Sequence, residues 1–268
     1  MVVDFLYHPD AVFWADHHDT TFLSDALRAD YERKRSPNLL NDPAASSCAQ
    51  VLWRKVHRKL RDTRFREMAL WAERIDSARY GSVQEAVLGE SPALRINLSL
   101  LEDSSAEYCR FLVESLRGQS LAEVAASTVV AERYASSRQA VERGQALFGK
   151  ASRLERGGIV VFEVLKQPKD TFISRYAPYL AYPEARYSIG ILPYREGAKI
   201  TAMRNPWRRF ESRPLGQIFR RYGGGGHQRV ASVLLKDKAK AESTLNAILN
   251  DIRSEKEDAP KRTKAVNA

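Results

Sequence analysis

Apolar and polar positions follow two different grammars along the chain. Met1-Val2-Val3-Asp4-Phe5-Leu6 is an apolar run interrupted by an acid, and after a turn at His8-Pro9-Asp10 a second run, Ala11-Val12-Phe13-Trp14-Ala15, leads into Asp16. Short continuous apolar runs bounded by turn residues read as buried strands, so two acids end two neighbouring strands. Helical spacing then covers Thr21 to about Arg35, Ala44 to Leu60 and Thr63 to about Ile75, broken by the turns Ser36-Pro37-Asn38 and Asn41-Asp42-Pro43. Asp76 follows the third helix. From about Ser104 to Arg153 the spacing is again helical and rich in Ala, Glu and Arg.

Beyond that point the pattern changes. Gly158-Ile159-Val160-Val161-Phe162-Glu163-Val164 is a strong strand signal, and Ser188 to Leu192, Ala198 to Met203 and Arg229 to Leu235 read as further strands. A short helix is expected within Thr171–Ala181 and an amphipathic one over Lys238–Ile252. The order predicts an α/β chain of two domains: a partial Rossmann-like parallel sheet with helices, then a smaller mixed-sheet α/β domain. The expected boundaries are 1–128 for the first domain, 129–156 for a helical connector, 157–253 for the second domain and 254–268 for a charged, disordered tail.

With 268 residues and 44% hydrophobic content the chain has room for two modest cores. No apolar stretch reaches the roughly 18 residues of a membrane span and no signal core follows the first residues, so a cytoplasmic protein without membrane partners is the expectation. Cys48 and Cys109 fall in expected helices without metal-type spacing and read as buried or idle thiols rather than a disulfide or a catalytic nucleophile. The formal charge of +10, from 43 Lys and Arg against 33 Asp and Glu, favours anionic partners. The basic run Arg54 to Arg61 reads as a solvated helix face, whereas Arg204, Arg208, Arg209, Arg213, Arg220 and Arg221 crowd the approach to a glycine run, where arginine suits phosphate.

The candidate chemistry sits in two motifs at opposite ends of the chain. Asp16-His17-His18 leaves a strand end, where open α/β sheets bind ligands, and its mix of oxygen and nitrogen donors suits Mn²⁺ or a similar ion. Gly223-Gly224-Gly225-Gly226-His227 lets backbone N–H groups approach an anion while the imidazole adds a donor. Each motif alone has a bland reading, a solvated strand end or a flexible turn. Together, in this order and spacing, they resemble the DHH phosphoesterase family, whose catalytic domain carries Asp-His-His and whose smaller C-terminal domain carries a Gly-Gly-Gly-His substrate loop.

The resemblance covers nearly the whole chain and implies roles for particular residues. Asp4 matches the acid that bridges two metal ions, His17 matches a metal ligand, and Asp76, in Trp71 to Ala78, matches the later acid that completes the set. Asp16 and His18 match the catalytic pair, with Asp16 orienting its neighbours and His18 holding substrate phosphate. Arg204, Gly224, Gly225, Gly226 and His227 match the substrate-binding positions. The implied cofactor is Mn²⁺ or Mg²⁺ in a two-metal centre that generates hydroxide at the scissile phosphate.

The implied substrates are short oligoribonucleotides or small nucleotides, as in the nanoRNase or oligoribonuclease-like branch. Monomer and homodimer are both open. The family opens with a further strand carrying a His/Asp-x-Asp motif, and this sequence starts after it, with only Asp10 and Asp19 nearby. The expectation is therefore an N-terminally truncated member with impaired activity. Two other readings stand beside it: a non-catalytic nucleotide or RNA binder that keeps the loop, and an inorganic pyrophosphatase-like hydrolase.

Overall fold

The computed structural model describes residues 1–18, 20–59, 62–164, 168, 170–195 and 197–254. The expected tail beyond Ser254, with Asp19, Leu60 and Arg61, lies outside the described residues. The chain divides into two compact units: Met1–Gly81 with Leu88–Ser136, and Ser82–Val87 with the chain from Ser137 onward.

In the first unit, β1 (Val2–Val3), β2 (Trp14–Asp16) and β3 (Leu39–Asn41) form a parallel sheet in that order. The register pairs Val3 with Ala15 and Asp16 with Asn41, so the strand ends carrying Asp4 and Asp16 lie side by side. Period-two alternation sends Trp14 to one face, where it is fully buried against Tyr7, Phe22 and Tyr31 with ring centroids 5.2 to 5.9 Å away. Its indole N–H donates to the Phe5 carbonyl at 2.9 Å, which satisfies the one polar atom this ring would otherwise bury unpaired.

Serine caps shorten the first two expected helices. Ser24 and Ser47 accept from the N–H groups of Leu27 and Gln50, so α1 runs Asp25–Lys34 and α2 runs Cys48–Val56. Next, α3 spans Thr63–Asp76 behind an Asp62 cap. Three helices, α5 (Pro92–Ser99), α6 (Ala106–Gly118) and α7 (Leu121–Ala126), then bury Ile96, Leu112, Leu121 and Val124 in one cluster with Met68 and Trp71 of α3 packed against it. Before them comes the short α4 (Val83–Leu88), which with α5 was not anticipated from the sequence. After them, α8 (Thr128–Lys150) contains the boundary between the two units.

The second unit holds a six-stranded mixed sheet in the order β4-β5-β6-β7-β9-β8, with strands at Ser152–Glu155, Ile159–Glu163, Tyr187–Tyr194, Gly197–Arg204, Gly225–Gly226 for β8 and Val230–Leu235 for β9. The pairs β4/β5, β6/β7, β7/β9 and β8/β9 are antiparallel, and β5/β6 is parallel. Between β5 and β6 the expected short helix is α9 (Ala177–Ala181), and α10 (Leu215–Arg220) precedes the glycine run. Ala198, Ile200 and Ala202 of β7 face a core completed by α10 and by α11 (Ala241–Ser254), whose Leu245, Ile248, Leu249 and Ile252 recur at helical spacing.

Candidate functional site

The first group of side chains gathers at the end of the parallel sheet. Asp4 directly follows β1 in a left-handed conformation, φ 56°, a region that aspartate tolerates better than most residues and that ends the strand at once. Asp76 is the last residue of α3, whose terminus is closed by a Schellman pair: Ala78 N–H to Ile75 O at 3.2 Å and Arg79 N–H to Arg74 O at 2.9 Å, with Ala78 at φ 54°. Both carboxylates converge on His17. Its Nε2 is 3.5 Å from an oxygen of Asp4 and 3.2 Å from an oxygen of Asp76, yet it is sealed from solvent and makes no hydrogen bond. On the far side of the ring, Nδ1 lies 3.4 Å from the Ala45 carbonyl, which suits an N–H donating there and leaves Nε2 as the free donor atom.

This geometry fits a cation. Donor atoms about 2 Å from one ion and roughly at right angles lie about 3 Å apart, close to the separations found. Two exposed carboxylates held beside one imidazole nitrogen, one of them at the negative end of a helix, form an arrangement that a divalent ion relieves. Ligand-type atoms of Asp4, Asp16, His17 and His18 all lie within 4.8 Å of one another.

Asp16 and His18 form a second pair. The buried Asp16 carboxylate meets His18 Nδ1 at 2.8 Å. Burial raises the Asp16 carboxyl, but hydrogen bonds from Thr21, His18 and the His17 N–H outweigh it and hold the group below its ordinary value. Hydrogen bonding to Asp16 in turn raises the His18 imidazole. Cys48 lies beneath the site with its thiol donating to Ala15 O at 3.2 Å, and burial pushes that thiol up to about 11, so it is a neutral packing group. Among the described residues, the Asp10 carboxylate pairs with exposed His8, at 4.0 Å.

The second group belongs to the mixed sheet. α10 and the glycine run approach so closely that a Cβ on Gly216 would stand 2.4 Å from Gly226 O, and the N–H groups of Leu215 and Gly216 donate to the carbonyls of Gln228 and His227. Gly226 has φ 142°, open only to glycine, while a Cβ at Gly225 would meet nothing. Not every N–H of the run is free: Gly224 donates to Phe219 O at 3.0 Å and His227 to Val230 O at 2.8 Å. The His227 side chain is exposed.

Arg204, at the end of β7, is tied to the loop's far side by its backbone N–H, which donates to Arg229 O at 2.8 Å. Its guanidinium donates to the carbonyls of Asn205, Arg208 and Phe210 and lies 4.2 Å over the Phe210 ring. Arg204 therefore frames the segment that follows it, a connection that its place in the sequence did not reveal. Asn205, which the sequence reading passed over, is buried and braces the same segment by donating to Ala185 O and accepting from Trp207 N–H.

A parallel sheet ending in Asp4 and Asp16-His17-His18, followed by a mixed sheet carrying Gly223 to His227, is the two-domain α/β arrangement expected from the sequence. Among solved structures, the chain is similar to the pGpG-specific phosphodiesterase PggH from Vibrio cholerae, with TM-score 0.71 and 19% identity over 94% of this chain and 83% of that one. Two others are an exopolyphosphatase-related protein from Bacteroides fragilis (TM-score 0.47, 14% identity, 89% of this chain and 63% of that one) and RecJ from Thermus thermophilus in complex with Mg²⁺ (0.44, 15%, 90% and 42%). No family model and no curated protein matches the chain. No described helix is long and apolar enough to cross a membrane.

Proposed function

We propose that the chain is a divalent-metal-dependent phosphoesterase that hydrolyses phosphoester bonds in short oligonucleotides or small nucleotides, with Asp4, His17 and Asp76 holding Mn²⁺ or Mg²⁺. The observation that carries this reading is the sealed, unpartnered Nε2 of His17 between two carboxylates. A buried nitrogen left without a hydrogen bond costs stability in the bare protein, roughly 1–3 kcal/mol. Coordination removes that cost.

When bound, the metal supplies a Lewis acid and a hydroxide source at neutral pH. The chain's own residues do the positioning. Ala45 O fixes the His17 ring, Asp16 fixes His18, and His18 turns its other nitrogen to a phosphate oxygen. In the second unit, the exposed His227 imidazole takes a further phosphate, with room for it on the side-chain face of Gly225.

The test is hydrolysis of a 5′-phosphorylated dinucleotide with Mn²⁺ titrated in, alongside calorimetric metal binding. Wild type should turn over only with metal, and His17→Ala and Asp76→Asn should lose Mn²⁺ binding and turnover together. Unchanged Mn²⁺ affinity in His17→Ala would remove the metal centre from this position. Tight nucleotide binding with no metal-dependent turnover would favour a non-catalytic binder.

A further inference from the structure

The mixed sheet of the second unit has two faces. Ile189, Ile191, Ile200, Ala202 and Val233 belong to the core closed by α10 and α11. The alternate positions, Ser188, Gly190 and Leu192 of β6 and Lys199, Thr201 and Met203 of β7, therefore face the other way. On that face lies a cavity of about 300 Å³ walled by Phe148, Phe162, Ile173, Leu192 and Met203. Lys199 lines it too, and no aspartate or glutamate does. Of the described lysines, Lys199 alone is not exposed. Its cross-strand neighbours are Leu192 and Leu234, and it has no ion pair or hydrogen bond among the described residues.

The walls stand before any ligand arrives. The Phe162 ring lies against β6 because position 190 has no side chain, and any Cβ there would collide with that ring. Phe148 of α8 closes on it, with ring centroids 5.2 Å apart. The segment carrying Ile173 is fixed to α8: Phe172 N–H donates to Ala140 O at 2.8 Å, the Gln145 amide donates to Ala177 O at 3.3 Å, and a side chain at Gly144 would collide with Phe172 O. Little freedom is lost when such a cavity is filled.

Its polar groups narrow the ligand. Tyr179 Oη donates to Met203 O at 2.6 Å, so Ser188 donates to Tyr179 Oη at 3.1 Å. Thr201 donates to Ala231 O at 3.4 Å, and the exposed Arg175 lies 5.1 Å over the Tyr176 ring. The Lys199 ammonium remains. Half-burying an unpaired cation among leucine and phenylalanine side chains costs free energy that an anion would offset. A phosphate presents three oxygens and calls for several donors, whereas a carboxylate needs fewer. The volume lies at the small end for ligand pockets, which suits a body of one ring.

We propose that this cavity binds a small apolar monocarboxylate, with its body between Phe148, Phe162 and Met203 and its carboxylate paired with the Lys199 ammonium. The site lies wholly within the second unit and uses no residue of the glycine run, so it stands whether or not the chain hydrolyses phosphoesters.

Calorimetric titration of the full chain with cinnamate, in chelator, tests it. Cinnamate should bind at sub-millimolar concentration. Lys199→Met should weaken it about tenfold or more, the loss expected for one charge-assisted hydrogen bond, and Lys199→Arg should retain most of it. Cinnamyl alcohol, the neutral counterpart, should bind wild type and Lys199→Met alike. Leu192→Trp, which fills the cavity, should abolish binding of both. Lys199→Met keeps an unbranched stem on β7, so it should fold, which melting curves would verify. Absence of cinnamate binding at millimolar concentration, equal affinity in wild type and Lys199→Met, or binding that persists in Leu192→Trp would each overturn the site. Tighter binding of cinnamyl phosphate than of cinnamate would overturn the choice of a carboxylate.

Discussion

The Nε2 of His17 stands 3.2 Å from a carboxylate oxygen of Asp76, which closes the first unit's strand-end site with a residue from the C-terminus of α3. If that contact holds a metal ion, as proposed, metal binding and the stability of the unit are coupled. In metal-free protein, Asp76→Asn should leave stability equal or raise it by a few tenths of a kcal/mol, because the substitution removes an acid from the negative end of a helix. Mn²⁺ at a hundred times its dissociation constant should stabilise wild type by about 2.7 kcal/mol. Melting curves in Mn²⁺ and in chelator check both signs, and equal responses of wild type and Asp76→Asn to Mn²⁺ would contradict the assignment.

Ala78 occupies the left-handed position that closes α3, at φ 54°, two residues after Asp76. Alanine pays about 1–2 kcal/mol for this conformation, while glycine loses roughly 0.5–1 kcal/mol through its freer unfolded state. Ala78→Gly should therefore stabilise the protein by about 0.5–1 kcal/mol in urea unfolding. Destabilisation would mean that the methyl group packs against something the helix end needs.

Close approach of α10 to the glycine run makes Gly216 a steric test. A methyl there meets Gly226 O at 2.4 Å, so Gly216→Ala must push the run away from the helix. Affinity for a 5′-phosphorylated dinucleotide should fall about tenfold, which is about 1.4 kcal/mol, as it should in His227→Ala. Mn²⁺ affinity should not change. Calorimetric titration separates the two readouts, with Lys59→Ala as a neutral surface control.

Asp30 supplies the clearest pH dependence. Hydrogen bonds from Lys34 first, then from Tyr7 and Arg33, hold its carboxyl down from 3.8 to about 2. A depressed folded value means that its stabilisation is fully present above the unfolded pKa and disappears as pH falls through the folded one. The stability gap between wild type and Asp30→Asn should be constant from pH 7 to about 5 and close between about pH 4 and pH 2. A gap that persists at pH 2 would place the effect in packing against Tyr7.

β2, β5 and β6 were legible in the sequence because burial on both faces dictates their composition, whereas the run Met1–Leu6, read as a buried strand, forms only Val2–Val3, with Val3 and Phe5 exposed. β3 was not: Leu39–Asn41 lies between Ser36-Pro37-Asn38 and Asp42-Pro43, and only pairing with β2 makes it a strand. β4 reads Ser-Arg-Leu-Glu, a pattern that continues the preceding helix until its edge pairing with β5 is seen. β8 is two glycines with no pattern at all. At the strand ends, the family resemblance grouped Asp4, His17 and Asp76, and the structure places both carboxylates within 3.5 Å of His17 Nε2. The engagement of Arg204 with three carbonyls had no sequence signal, because main-chain acceptors are the same whatever side chains surround them.

That last point separates the frame of the arginine segment from what it displays. The carbonyls of Asn205, Arg208 and Phe210 would receive Arg204 just as well if positions 208 and 209 carried other side chains, since both are exposed and neither braces the segment. Residues there can be exchanged without loosening the scaffold beneath them. At these two positions the charge that the segment displays can be changed, in the laboratory or by drift, while the carbonyl contacts of Arg204 and the strand ends of the first unit stay as they are.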